Sequence, residues 1–157
     1  MADARREEID AINGIGNALG MVLQSIENAH RDTDYSDVTE WILWRLEQDH
    51  QRFFSEGRDA NGQAWRPLRP STIKRKGHGI ILVETERLMN SLTRSGGDAI
   101  RAHNARGAVF GTRVPYSIYH QLGTAILPQR APVGVEKVTQ DDMVTNVVNH
   151  AVQALRG

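Results

Sequence analysis

Two short strand-like segments separated by a tight turn constrain the fold of this chain more than any other feature. Residues 99–103 and 108–112 flank a turn at 104–107, which is the pattern of a β-hairpin. Two strands alone are only marginally stable in water. The hairpin therefore needs helices against one face, or further strands such as those of a neighbouring subunit. Because helical patterns surround it, we predict an α+β fold in which helices pack on a small antiparallel sheet.

Helical periodicity before the hairpin predicts an N-terminal helical arm. Residues 9–26 and 36–56 both place apolar residues at steps of three and four. Glycines in the first segment weaken it by about 0.8–1 kcal/mol each. We predict that the two helices form a hairpin or arm over residues 1–56, and that an α+β domain follows over residues 57–157.

The segment after the arm reads as an ordered loop with two helical pieces. Trp65 and Leu68 are the apolar residues that would pin the loop to the core, and residues 71–75 would form a short helical turn. Residues 80–92 carry a helical apolar pattern, so we predict a helix over that range.

Two helices are predicted after the hairpin. A short one over residues 116–122 follows a proline and stops at Gly123. Residues 139–156 form the clearest helical pattern, with Thr139 and Asp142 as a pair that resembles a capping box.

Composition excludes several classes of protein. The 157 residues include no cysteine, which excludes disulfides, thiol catalysis and cysteine-based zinc sites. No apolar run approaches the ~18–20 residues that span a bilayer, and the charged N-terminus lacks the apolar region of a secretory signal. We therefore expect synthesis in the cytoplasm and no membrane contact.

The segment 114–124 (VPYSIYHQLGT) is the richest in side chains that can do chemistry. Ser117 and His120 lie three residues apart, but no nucleophile elbow surrounds the serine and no orienting acid follows. His120 also lacks partners at the spacing of a metal site. A hydrolase is therefore the weakest reading. We expect no enzyme, cofactor or metal, and a docking role for these side chains.

The segment 66–76 (RPLRPSTIKRK) concentrates positive charge in a chain whose net charge is zero. Its basic residues are Arg66, Arg69, Lys74, Arg75 and Lys76, and it has no acid. One reading is non-specific phosphate contact, which would make the protein a stand-alone DNA-binding module. The other is an ordinary solvated loop. The neutral net charge and the lack of base-stacking aromatics in the run count against the first reading.

Four segments, in order along residues 53–155, resemble the phage virion morphogenesis family, the tail completion proteins of Mu-like and P2-like phages. The residues at the positions of the family pattern are Asn61, Gly62, Trp65, Pro67 and Leu68; Leu82, Thr85, Leu88 and Ser91; Pro115, Tyr116, Ser117, His120, Gln121 and Gly123; and Pro128, Arg130, Pro132 and Gly134. The chain departs from the family pattern at Glu86, where glycine is usual, at Ser117, where alanine is usual, and at the inserted Ala131.

This resemblance implies a structural protein of the phage head–tail junction, made in the bacterial cytoplasm and built into the virion. Such proteins form rings, usually sixfold, that join the capsid connector to the tail tube. The implied partners are other copies of the chain, the neighbouring connector and tail-tube proteins, and viral DNA that passes through the lumen without sequence recognition. The resemblance leaves open which layer of the junction this protein forms.

Site residues follow from that implied role. Tyr116, Tyr119, His120 and Gln121 would anchor a contact with an adjacent subunit, since aromatic residues are favoured at interface cores. Arg130, on the irregular arm between prolines, would reach the same neighbour. The five basic residues of segment 66–76 would face the DNA.

Overall fold

The computed structural model describes residues 20, 21, 24, 27, 28 and 31–156. Over residues 33–156 the elements are α1 (Ser36–Glu56), α2 (Pro70–Lys76), α3 (Arg87–Thr93), β1 (Ala99–Asn104), β2 (Gly107–Thr112), α4 (Ser117–Leu122) and α5 (Lys137–Arg156). Five helices and a two-stranded antiparallel sheet confirm the predicted α+β fold. The apolar stripe predicted within residues 9–26 lies outside the described residues.

The chain divides into two compact units. Met1–Asp34 and Val148–Gly157 form one unit, and Tyr35–Val147 form the other. The predicted boundary at residue 56 falls at the end of α1, and α1 lies in the same unit as the hairpin. Its contacts with both strands and with α3 make it part of the core of that unit.

The hairpin lies where the sequence predicts it. Ala99 lies opposite Thr112 and Asn104 lies opposite Gly107, which leaves a two-residue connection. The Asn104 side-chain oxygen accepts hydrogen bonds from the backbone N–H groups of Arg106 and Gly107, at 2.8 and 3.1 Å. Within residues 33–156 no third strand extends the sheet, so α1 and α3 supply the packing that a lone hairpin lacks.

A charged residue on β1 ties the hairpin to α1. The Arg101 guanidinium lies 3.8 Å from the ring centroid of Phe110, and its Nε donates to Glu47 on α1 at 2.8 Å. The aromatic face and the carboxylate both favour the cation, so this contact stabilises the packing of sheet against helix.

The core of the larger unit brings together residues from helix, loop and strand end. Its buried members are Phe53, Phe54, Trp65, Val83, Leu88, Leu92 and Val114. Trp65 packs edge-on against Phe54, with ring centroids 5.3 Å apart, and its Nε1 donates to the Ala131 carbonyl at 3.2 Å. The loop is therefore fixed between α1 and the irregular segment that joins α4 to α5. We call this segment the arm. Leu68 is only half-buried and borders a surface cleft.

Two helix predictions are wrong at their starts. The helix predicted over 80–92 begins only at Arg87, because Leu82 and Glu86 both have φ of +59°, a left-handed conformation that interrupts a right-handed helix. Thr139 is not the cap of the last helix. It is the third residue of α5, and its hydroxyl donates to the buried carboxylate of Asp49 instead.

Candidate subunit interface and basic cleft

The helix α4 is held in place at both ends. Before it, Val114 is buried and its N–H donates to the Thr112 hydroxyl at 3.1 Å. After it, Gly123 has φ of +73°, and a Cβ at this position would lie 2.9 Å from the backbone nitrogen of Gln129. The chain therefore folds back tightly against the end of α4, which only glycine permits.

The inner side of α4 binds the arm of its own chain. The Gln121 amide donates to the Val133 carbonyl at 2.9 Å and accepts from the Val133 N–H at 3.0 Å. The Arg130 N–H donates to the His120 carbonyl at 2.9 Å. Gln121, which the sequence analysis placed at a subunit contact, thus uses its amide within the chain.

Arg130 is also turned inward. It is only 7% exposed, and its guanidinium donates to the carbonyls of Arg66 and Pro67 at 2.6 and 3.1 Å. These carbonyls belong to a loop without regular structure, so they need a donor from elsewhere in the chain. The arginine expected to reach a neighbour therefore holds segment 66–76 against the arm.

Tyr116 and His120 lie one turn apart, as predicted, with ring centroids 6.2 Å apart and planes at 90°. His120 is half-buried, and its Nδ1 has no hydrogen-bond partner among the described residues. Burial lowers the pKa of His120, and the positive charges of Arg130 and Lys76 lower it further. The imidazole is therefore neutral near pH 7.

The outer side of α4 and the loop after it are apolar and exposed. Ile118, Tyr119, Leu122 and Ile126 are 50%, 56%, 68% and 82% exposed. Ile118 and Leu122 are four residues apart, and Tyr119 and Leu122 are three apart, so they share one side of the helix. We call these four residues the apolar patch.

A cleft of about 810 Å³ lies beside the apolar patch. Its basic lining residues are Arg66, Arg69, Arg75, Lys76, Arg87 and Arg130, against two acids, Glu84 and Glu86. Its apolar lining includes Leu68, Leu82, Ile126 and Leu127, and Tyr116 and His120 border it as well. We call this the basic cleft. It brings four of the five predicted basic residues together with Tyr116 and His120, two of the residues predicted to dock a neighbour.

The cations of segment 66–76 differ in whether they already have an ion-pair or hydrogen-bond partner in the same chain. Arg75 forms an ion pair with Glu84, and Lys76 donates to the Ile80 carbonyl at 2.8 Å. Burial lowers the pKa of Lys76. Arg66, Arg69 and Lys74 have no ion pair within the described part of the chain, and Lys74 does not line the cleft. Arg66 and Arg69 are therefore the available charges of the cleft.

The most exposed apolar residues of this region were not predicted from the sequence. Leu122 and Ile126 were not among the predicted contacts, although Ile126 is the most exposed large apolar residue described. An Ala-Ile-Leu run at 125–127, inside a segment with no helix or strand pattern, was the available signal. Apolar side chains on an irregular surface loop have no core of their own to enter.

The model of the phage virion morphogenesis family matches residues 12–152, which extends further toward the N-terminus than the segments that carried the resemblance. No curated protein and no solved structure matches the chain. The chain belongs to the phage virion morphogenesis family, which indicates a structural protein of the phage virion.

Proposed function

We propose that the protein is a structural component of the phage head–tail junction, of the tail completion or tail terminator type. Its copies close into a ring that joins the capsid connector to the tail and lets DNA pass. Family membership supports a role in virion assembly. The observation that supports ring formation is the apolar patch of Ile118, Tyr119, Leu122 and Ile126.

The apolar patch argues for a protein partner on energetic grounds. Burying one large apolar side chain contributes about 1.5–3 kcal/mol, so an exposed group of four leaves a substantial free energy unused. Large exposed apolar patches on soluble proteins mark contact surfaces. Tyr119 is the residue of this group that interface cores favour most. In a ring, every copy covers the patch of its neighbour.

The chemistry of α4 supports docking rather than catalysis. A histidine that acts as a general base must accept a proton and carry a positive charge. His120 instead faces the cations Arg130 and Lys76, which oppose that charge. Its pairing with Tyr116 places the imidazole as a packing side chain between α4 and the basic cleft.

The alternative of a stand-alone DNA-binding module rests on the free cations of segment 66–76. Arg66, Arg69 and Lys74 are exposed and have no ion pair among the described residues. Three free cations in one segment, on a chain of zero net charge, are a small footprint for an isolated DNA binder. We therefore propose that DNA contact is weak and occurs in the lumen of the assembled ring, where Lys74, which does not line the basic cleft, is the cation of this segment left for it.

Electron microscopy of the virion neck tests this function. We expect density for several copies of this chain in a closed ring between the capsid connector and the tail tube. A phage that lacks the gene should accumulate filled heads and tails that do not join. Density for the chain in the capsid shell or baseplate, or normal particles without it, would contradict the proposal.

A further inference from the structure

We propose that neighbouring copies associate head to tail by inserting the outward face of α1, formed by Asp37, Glu40 and Trp44, into the basic cleft of the next copy. This inference rests on the proposed ring, because it assigns the two surfaces through which the ring closes. Both surfaces lie in the larger compact unit, Tyr35–Val147.

The outward face of α1 is acidic and carries an exposed tryptophan. Asp37, Glu40 and Trp44 are spaced by three and four residues, so they lie along one side of the helix. The opposite side is buried against the hairpin and α3, through residues such as Val38 and Leu46. Trp44 is 55% exposed. Neither carboxylate has an ion pair within the described residues.

An exposed tryptophan beside free carboxylates is an unusual surface for a monomer. Tryptophan buries the largest apolar area of any side chain and is enriched among residues that dominate binding energy. The apolar lining of the basic cleft, Ile126 and Leu127, offers it a place to pack. This lining is continuous with the apolar patch, because Ile126 belongs to both.

The free cations of the cleft match the free acids of α1. Arg66 and Arg69 line the cleft without an ion pair, and Asp37 and Glu40 are exposed without one. The chain as a whole has 19 basic and 19 acidic residues, whereas these two surfaces are of opposite sign. Opposite surfaces on one chain attract a second copy of that chain and orient it.

The composition of the cleft favours a helix face over DNA. Duplex DNA presents charged phosphates, which gain no favourable contact from apolar residues such as Leu68, Ile126 and Leu127. The cleft volume of about 810 Å³ suits an inserted aromatic side chain with its flanking groups. The two surfaces are different, so the contact is heterologous, and repetition with the correct rotation closes a ring.

A disulfide trap tests the contact directly, because the natural chain has no cysteine. The full chain carrying both Glu40→Cys and Arg69→Cys is built into virions and oxidised. We expect a ladder of covalent multimers up to the size of the ring on a non-reducing gel. The chain with only one of the two cysteines should assemble in the same way but run as a monomer on the same gel. A matched control pairs Arg69→Cys with Asp141→Cys, an exposed residue of α5, and should give no ladder.

A charge exchange tests the same contact without new covalent chemistry. One variant carries Asp37→Arg and Glu40→Arg, and the other carries Arg66→Glu and Arg69→Glu. Each should assemble at least tenfold less than the natural chain, while its far-ultraviolet circular dichroism stays unchanged. An equimolar mixture should assemble again, because each altered surface then meets its complement on the other variant.

The outcomes separate this inference from the proposed function. Rings in the virion neck with no covalent ladder, or with both charge variants assembling normally, would overturn the inference and leave the ring in place. If the variant of Arg66 and Arg69 assembles normally but loses DNA retention, the cleft faces DNA and the inference fails. If the chain is absent from the virion neck, the proposed function fails first.

Discussion

Thr139, in the first turn of α5, donates its hydroxyl hydrogen to the carboxylate of Asp49 on α1, and both side chains are buried. Arg52 and Arg45 contact the same carboxylate at 2.7 and 3.4 Å. Arg52 also pairs with Glu136, immediately before α5. This network fixes the start of α5 on α1 through charge and hydrogen bonds, with little apolar contact.

The Asp49→Ala variant should lose about 2–3 kcal/mol of unfolding free energy. Removal of the carboxylate leaves the buried Thr139 hydroxyl without its acceptor and separates two arginines from their shared anion. The partly exposed arginines can turn to water, which keeps the loss below that of a fully buried pair. Urea denaturation measures the change.

The matched control is Glu56→Ala, which removes an exposed ion pair with Arg58. Exposed pairs contribute about 0–1 kcal/mol, so this variant should change the midpoint little. Equal losses for Asp49→Ala and Glu56→Ala would contradict the structural role of the buried network.

His50 makes the unfolding free energy of the protein depend on pH. Its ring is fully buried between Phe53 and Phe110, and its Nδ1–H donates to the Leu46 carbonyl at 2.7 Å. Burial lowers the pKa of His50 from 6.5 to about 4, against the opposing effects of the Leu46 hydrogen bond and the Asp49 charge. The unfolded chain therefore takes up a proton near pH 6.5, while the folded chain does so only near pH 4.

Unfolding free energy should therefore fall as the pH drops from 6.5 to 4, by roughly 3 kcal/mol from this group. The His50→Phe variant keeps an aromatic ring in the same place and should lose most of this dependence. His120 contributes in the same direction, because its pKa is also lowered. Thermal unfolding of the natural protein and the His50→Phe variant at several pH values measures the difference. Parallel pH profiles of the two would refute the role of His50 in this dependence.

Glu86 is strained, and replacing it should stabilise the protein. It has φ of +59°, and it stands where the family pattern usually has glycine. A left-handed conformation costs an ordinary residue about 1 kcal/mol or more, so we expect Glu86→Gly to raise the unfolding free energy by up to about 1 kcal/mol. Thr85→Gly is the control, since Thr85 has no positive φ. It should be neutral or destabilising. A loss of stability in Glu86→Gly would show that the glutamate has another role.

Gly123 should tolerate no side chain. The Gly123→Ala variant combines a positive φ with a contact of 2.9 Å to the Gln129 backbone, so we expect a loss of about 2 kcal/mol or more. Gly79→Ala is the control, because a Cβ there meets nothing within 4 Å. Thermal unfolding gives the melting temperatures of the two variants. Equal values would contradict the close approach of the chain at Gln129 to Gly123 after α4.

The sequence predicts the hairpin and α4 well, because their signals are local. Alternating side chains and Asn104 define the hairpin, and α4 ends before Gly123 as predicted and begins one residue later than predicted. The interaction of Tyr116 with His120 follows from helical spacing alone.

Other features depend on contacts between distant segments, and local pattern does not report them. The apolar spacing of residues 80–92 fits a helix, but the left-handed turn at Leu82 and Glu86 delays its start. The inward position of Arg130 depends on two carbonyls more than 60 residues earlier in the chain. The burial of Thr139 likewise depends on Asp49, which no local motif connects to it.

The native mass of the full chain tests the central claim most directly. We predict that the natural protein, alone or with purified tails, forms a single closed multimer. For a sixfold ring, its mass should be six times that of the 17.5 kDa chain. Tyr119→Glu and Leu122→Glu should yield monomers with unchanged thermal unfolding, because both side chains are exposed in the single chain. A natural protein that remains at 17.5 kDa at every concentration, with and without tails, would contradict a ring closed through the apolar patch.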